Sequence, residues 1–489
     1  MTPAQDSPLA DPQAPTHDVV VLGAGPVGEN VADRARAAGL TVAVVESELV
    51  GGECSYWACM PSKALLRPAV ALAEARRLPG AREAVTGRLD AAAVLARRDA
   101  FASHWQDDGQ ASWLNGIGAD LVRGHGRLDG PRRVRVARAD GGSVLLIARH
   151  AVVVSTGSSA VLPDLPGIDK VRPWGSREAT SAAAVPGRLA VVGGGVVGVE
   201  MATAWLALGS QVTLLVRGSG LLPQLEPVAG EHVAAALTEA GADVRTGVSV
   251  SELGRPDPDG PVTLQLDDGS RLEADEVLFA TGRAPRTEDI GLDTVGLAPG
   301  SWLDVDDHCQ VGSVPGGWLW ATGDVNHRAL LTHQGKYQAR IAGAAIAARA
   351  AGRTLDSTPW GPHTATADRA AVPQVVFTDP EVAAVGLTAA QADRAGLRTR
   401  VVDHDLAAVA GASLFGDGYR GHARMVVDLD RNHLVGVTFV GPGVAELLHS
   451  ATVAVAGEVP LDRLWHAVPA YPTISEIWLR LLEAYRDAN

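Results

Sequence analysis

The sequence predicts an α/β protein with two parallel-sheet units and a C-terminal α+β segment. Three observations predict it. An apolar strand, Val19-Val20-Val21-Leu22, runs straight into the turn Gly23-Ala24-Gly25-Pro26-Val27-Gly28, and a helical segment and a second strand follow. The same pattern recurs once, with Leu189 to Val192 leading into Gly193-Gly194-Gly195-Val196-Val197-Gly198. Beyond residue 361 the signals change to alternating strands, Ala423 to Val427 and Leu434 to Phe439, followed by helices.

In the first unit, His17 to Glu46, the first glycine of the turn makes the bend. The second lets the backbone approach a pyrophosphate, and the third lets helix pack on strand. Gly23, Gly25 and Gly28 hold those places. Glu46 ends the second strand (Thr41 to Val45), where a carboxylate can accept from both hydroxyls of an adenosine ribose. A tight βα turn without ligand is the bland alternative; strand, helix and acid together at this spacing favour a nucleotide. The second unit continues through a helix ending at Leu208 and a strand from Gln211 to Val216. Gly193, Gly195 and Gly198 repeat the glycine roles, but Arg217 stands where the first unit has Glu46. A cation there suits a ribose 2′-phosphate, so the reading leans to NADPH over NADH, against a solvated strand-end arginine. Two Rossmann-like units imply two dinucleotides, or one dinucleotide and a fossil site.

Between the units lies Gly51-Gly52-Glu53-Cys54-Ser55-Tyr56-Trp57-Ala58-Cys59-Met60-Pro61-Ser62-Lys63. Its two thiols, separated by four residues, can close a small disulfide ring. A zinc site is the alternative, but the second ligand pair is missing: Cys309 stands alone and reads as a buried small apolar residue. Three cysteines in 489 residues exclude a disulfide framework of the secreted type. The net charge of -14 offers nucleic acid no overall attraction, and no metal site is expected. No apolar run reaches the length of a membrane span, and Ile341 to Ala351 is too short. Met1 to Thr16, rich in Pro, Ala and Asp, reads as a disordered leader rather than a signal peptide, so a cytoplasmic enzyme is expected.

In these features the chain resembles the class I pyridine nucleotide-disulfide oxidoreductases, among them dihydrolipoamide dehydrogenase, glutathione reductase and mercuric reductase. The resemblance runs from about Asp18 to about Glu483. Further motifs carry it in order: Val152 to Ser158 with Thr156-Gly157, Phe279 to Pro285 with Gly282, Ala321-Thr322-Gly323-Asp324, and Val372 to Glu381. It implies FAD on the first unit, with Gly52, Thr156, Gly157 and Asp324 (the ribityl partner) adding to Gly23, Gly25, Gly28 and Glu46. NADPH or NADH would sit on the second, with Gly282 joining Arg217 and its glycines. Cys59 would be the flavin-side sulfur and Cys54 the outer sulfur that meets substrate. Lys63 resembles the lysine beside the flavin, and Glu200 the acid that pairs with it. The implied domains are a leader (1–16), a split FAD domain (17–160 and 285–360), an NAD(P) domain (161–284) and a C-terminal dimerisation domain (361–489) that forms a homodimer. The turn Arg255 to Gly260 falls inside the NAD(P) domain.

Three departures from the family pattern matter. Thiol-handling members carry His-Pro-Thr and then Glu near the C-terminus, whereas this chain has Tyr471-Pro472-Thr473 and Glu476. A phenol of pKa about 10 is no base near neutrality, though it can donate a hydrogen bond. His466, a candidate substitute, reads as a helix-end residue. Within the dithiol loop, Tyr56 and Ala58 stand where Asn and Gly are usual, with Trp57 between them; the aromatics either shape a substrate pocket or pack on a neighbouring helix. Finally, Ala484 to Asn489 lacks the vicinal cysteines of mercuric reductases, so mercury transfer to a C-terminal dithiol is not expected. The function read from all this is electron transfer between NAD(P)H, FAD and the Cys54-Cys59 disulfide, in the manner of dihydrolipoamide dehydrogenase. The partner is a small-molecule electron acceptor or dithiol/disulfide. The alternatives are a quinone or electrophile reductase working from the flavin, and a redox-sensing nucleotide-binding protein without turnover.

Overall fold

The computed structural model of the chain describes residues 14–258 and 260–487. Most of the expected leader, Asp259 in the Arg255 to Gly260 turn, and the last two residues lie outside them. The chain forms two compact units: residues up to Cys54, Trp105–Ser159 and Arg283–Thr366 make the first, and Ser55–His104, Ala160–Gly282 and the chain from Ala367 onward make the second.

The first unit is built on β1 (Thr16–Leu22), β2 (Val42–Glu46), β3 (Asp120–Arg123), β4 (His125–Leu128), β5 (Arg133–Ala137) and β6 (Ser143–Val154), in the order β3-β2-β1-β6-β5-β4. The strand Leu319–Ala321 pairs in parallel with β6. β1 lies between β2 and β6, parallel to both. Its alternate residues face two cores: Val19 and Val21 pack with Val42 and Val44 on one side, and Val20 and Leu22 with Ala43 and Val45 on the other. Burial on both faces explains why these strands read as unbroken apolar runs rather than alternating ones. Helix α1 (Pro26–Ala37) covers the first face and packs on the helix Thr332–Ala350. Gly343 permits that approach, since a Cβ there would meet the Arg34 Cβ at 2.6 Å.

In the second unit β7 (Arg188–Val192), β8 (Gln211–Val216), β9 (Asp243–Thr246) and β10 (Glu276–Phe279) form a parallel sheet in the order β9-β8-β7-β10. Its helices include α2 (Cys59–Arg76), α3 (Ser176–Ser181), α4 (Val196–Ala207) and α5 (Pro227–Glu239). The Arg255 to Gly260 turn joins two strands of a small antiparallel sheet, Val250–Gly254 and Val262–Leu266, as expected of a hairpin. C-terminally, five antiparallel strands run in the order Pro373–Val376, Glu381–Gly386, His433–Gly441, His422–Asp428 and Thr399–Asp405. The helices Val444–Ala456 and Ile477–Asp487 share their core, which is the α+β arrangement the strand pattern predicts. The segment Ser55–His104, which the sequence boundaries run together with the first sheet, packs in the second unit. Its apolar residues find their partners there: Leu65, Leu66 and Val94 share a core with Val199 and the fully buried Trp205.

Candidate functional site

The first unit holds a nucleotide cradle. Gly23 takes φ +96°, and a Cβ on Gly28 would lie 1.9 Å from the Gly23 carbonyl oxygen, so the third glycine is what lets α1 close on β1. A Cβ on Gly25 would meet nothing within 4 Å, leaving open space over the backbone where a pyrophosphate fits. Gly52 presses against this turn, its Cβ position 2.9 Å from the Gly25 Cα. Glu46 ends β2 almost wholly buried and accepts from the amides of Ala24 and Glu48, each at 2.7 Å. Burial pushes its carboxyl up, and those amides oppose the shift. Beyond β6, Thr156 keeps a buried hydroxyl that has no partner among the described residues, and the Gly157 carbonyl accepts from the Arg286 amide. Asp324 accepts from the Ser158 hydroxyl at 2.5 Å; Arg283 donates to that hydroxyl at 2.6 Å and stands 3.8 Å from Asp324. Open space above Gly25, an orphaned Thr156 hydroxyl and a fixed Asp324 fit a bound FAD.

The second unit repeats the cradle. Gly193 takes φ +119°, a Cβ on Gly198 would meet the Gly193 oxygen at 1.9 Å, and Gly195 again faces open space. Arg217 is exposed directly after β8, and no carboxylate pairs with it among the described residues. Gly282, at φ +140°, is exposed beyond β10. Open backbone and an unpaired strand-end cation fit a nicotinamide dinucleotide.

The dithiol segment folds as two helices, Gly52–Tyr56 with Cys54 and α2 with Cys59 as its first residue; both cysteines are partly buried. A helix N-terminus favours the thiolate form at Cys59. One turn on, Lys63 donates to Glu200 of α4 at 2.7 Å, and Glu200, its side chain 4% exposed, accepts from the Phe377 amide with its other oxygen at 3.0 Å. The Lys63 ammonium also stands 5.0 Å from the centre of the Phe377 ring. The two aromatics of the loop make packing contacts: Tyr56 is buried, and the Trp57 indole lies 4.1 Å beneath the Arg177 guanidinium of α3. The Trp57 carbonyl accepts from the Thr180 hydroxyl at 2.8 Å. Cys309 is fully buried, and among the described residues no cluster of His, Cys, Asp and Glu could hold a metal ion.

At the C-terminus Tyr471 is 77% exposed, while Glu476 accepts from the Gly411 amide at 3.2 Å. His466 is exposed just past the short helix Leu461–Leu464, the helix-end place its sequence context predicts. Sequence reasoning missed Ser158, Arg283, Arg177 and Thr180. Ser158 and Arg283 lie inside quoted motifs, so their position was visible; no local pattern marks Arg177 or Thr180.

Two dinucleotide folds in one chain, with a cysteine pair and an ion-paired lysine between their glycine turns in the sequence, define an oxidoreductase that couples a nicotinamide to a thiol through a flavin. The chain belongs to the pyridine nucleotide-disulphide oxidoreductase family: residues 17–351 match the family model, and 372–481 match that of its dimerisation domain. Among curated relatives it is 33% identical over 474 residues to dihydrolipoyl dehydrogenase 3 of Pseudomonas aeruginosa, covering 94% of this chain and 96% of the relative. It is 31% identical over 484 residues to a mercuric reductase of Acidithiobacillus ferrooxidans, covering 96% and 83%. Among solved structures, LpdA of Mycobacterium tuberculosis superposes with a TM-score of 0.80 at 25% identity, covering 97% of this chain and all of that one. The flavoprotein disulfide reductase RclA of Escherichia coli, at 22% identity, shares the fold with a TM-score of 0.81 over 96% and 99%. The protein is thus an FAD- and NAD(P)H-dependent disulfide oxidoreductase. No helix among the described residues is long and apolar enough to cross a membrane.

Proposed function

We propose that the protein is a cytoplasmic, homodimeric, NADPH-dependent reductase of a small disulfide in the manner of dihydrolipoamide dehydrogenase, with Cys54 as the residue that meets substrate. The observation that carries this is the Lys63–Glu200 ion pair one turn beyond Cys59. FAD, held by Gly23, Gly25, Gly28, Glu46, Gly52, Thr156, Gly157 and Asp324, supplies the two-electron relay between the nicotinamide and the cysteine pair. Gly193, Gly195, Gly198 and Gly282 hold the dinucleotide, and Arg217 selects the 2′-phosphate.

Once the pair is reduced, the Cys54 thiolate attacks one sulfur of the substrate disulfide and expels the other as a thiol that takes a proton. Cys59, its thiolate favoured by the start of α2, then attacks Cys54 and releases the second thiol, which restores the Cys54-Cys59 disulfide. Two electrons leave the protein and two protons join the products. Lys63, fixed by Glu200, holds a positive charge near this exchange in a position a free lysine would not keep. Nothing in the site favours the quinone reductase or the sensor without turnover.

The test is steady-state reduction of lipoamide by NADPH with FAD-loaded protein. Cys54→Ser should lower it at least about 1,000-fold, as loss of a nucleophile does, and leave NADPH oxidation by an artificial dye intact. A Cys54→Ser protein that keeps reducing lipoamide would sink the assignment.

A further inference from the structure

We infer that the second unit carries a binding site, distinct from both dinucleotide cradles and from the dithiol, for a small amphipathic carboxylate. A cavity of about 580 Å³ lies among α2, α4, α5 and the segments that connect the strands of the C-terminal sheet. That volume is in the range of small-ligand sites. The void exists because the facing helices present short side chains: Ala69 and Ala73 on α2, Ala207 on α4, Ala235 and Ala236 on α5. Those walls suit a flat apolar body.

The polar rim decides the charge of the ligand. Glu239 is fully engaged by Arg420, whose two terminal nitrogens reach its two oxygens at 2.7 Å each. Asp379 takes Nη2 of Arg77 at 2.5 Å, and the Tyr419 hydroxyl donates to the Pro442 carbonyl at 2.9 Å. The Thr203 hydroxyl is spent on the Val199 carbonyl. Unspent capacity is left on the cations. Arg77 lines the cavity with its side chain 31% exposed, and among the described residues Arg76 bonds only a backbone carbonyl, that of Gly87. A guanidinium with donor capacity left toward a cavity is satisfied best by an anionic oxygen. His232 also lines the cavity, and burial with His422 beside it lowers its pKa from the ordinary imidazole value. The ligand that fits is therefore an aromatic or short-chain carboxylate, its head on Arg77 and Arg76 and its body along the alanines.

Calorimetric titration of the full-length, FAD-loaded protein with 2-naphthoate and with uncharged 2-naphthamide tests the site. One naphthoate should bind per chain, at least about tenfold more tightly than the amide, the factor one charge-assisted hydrogen bond supplies. Arg77→Met should remove that preference, and Ala236→Phe, which fills the void, should abolish binding of both. Ala73→Leu is a milder filler should Ala236→Phe fail to fold. Equal binding of naphthoate and amide, or undiminished binding in the filled variants, would overturn the inference.

Discussion

Glu29, in the first turn of α1, is the residue whose environment most contradicts its chemistry. It is almost wholly buried, one of its oxygens has no partner among the described residues, and burial pushes its carboxyl up to about 7. The nearby Lys336 opposes that shift and Glu46 adds to it. Since the folded state binds this proton more tightly than the unfolded chain, the stability it contributes is complete below about 4.5 and is lost as pH rises through about 7. Glu29→Gln should therefore stabilise the flavin-free protein at pH 8 by roughly 1–3 kcal/mol and much less at pH 5, read by urea denaturation at both values. Trp57 poses a different problem at the same scale. Arg177 over its indole and Thr180 on its carbonyl anchor the stretch between the two cysteines. A cation over an aromatic face contributes about 0.5–2 kcal/mol, so Arg177→Met should slow lipoamide reduction roughly 3- to 10-fold by loosening that stretch while KM for NADPH stays put. An unchanged rate would show the loop is held without it. The identity of Trp57 was legible in the sequence, but its partner was not, because a contact across some 120 positions leaves no trace in spacing.

At the level of elements, the strand–turn–helix units were legible because their physics is local: a bend, a close approach and a strand end each demand a residue type at a fixed offset. Gly28 and Gly198 meet the same carbonyl constraint in both units. What local rules could not show is where α2 belongs, since its apolar face matches any helix with a complementary one. Leu65 and Leu66 choose the core of α4, and the Lys63–Glu200 pair ties the two helices at one end. Glu200 is buried and Lys63 about a third exposed, so breaking the pair from the lysine side strands a charge that water reaches poorly. Lys63→Met should cost roughly 1–3 kcal/mol, and adding Glu200→Gln should recover most of it. A double-mutant cycle by chemical denaturation measures the difference. Additive losses would mean that the two residues contribute separately rather than as a pair.

For the whole molecule, the telling region is the C-terminal domain, whose match to the family's dimerisation domain goes with an exposed apolar set: Leu414 at 66%, Val453 at 54%, Val468 at 86% and Tyr471 at 77%. A monomer in water gains nothing from exposed apolar side chains of this kind, whereas a protein interface can bury them. The proposed function asks more of this face than stability, because thiol-handling relatives by resemblance carry a histidine where Tyr471 stands, acting on the outer thiol of the other subunit. The sequence made that substitution plain, with Pro472, Thr473 and Glu476 fixing the alignment. Glu476 remains anchored to the Gly411 amide and can orient an imidazole. Acid/base assistance is worth about 100-fold to 10,000-fold, and a phenol supplies little of it at pH 7. Tyr471→His should then raise lipoamide reduction at pH 7 by about tenfold or more and bring in a rate dependence near the histidine pKa of about 6.5. Dye reduction should not change. Adding Val453→Arg, which sets a charge at an exposed apolar position of this domain, should yield monomers by sedimentation and erase the gain while the flavin stays bound. If the gain survives in monomers, the new histidine works within its own chain and the shared site between subunits is wrong.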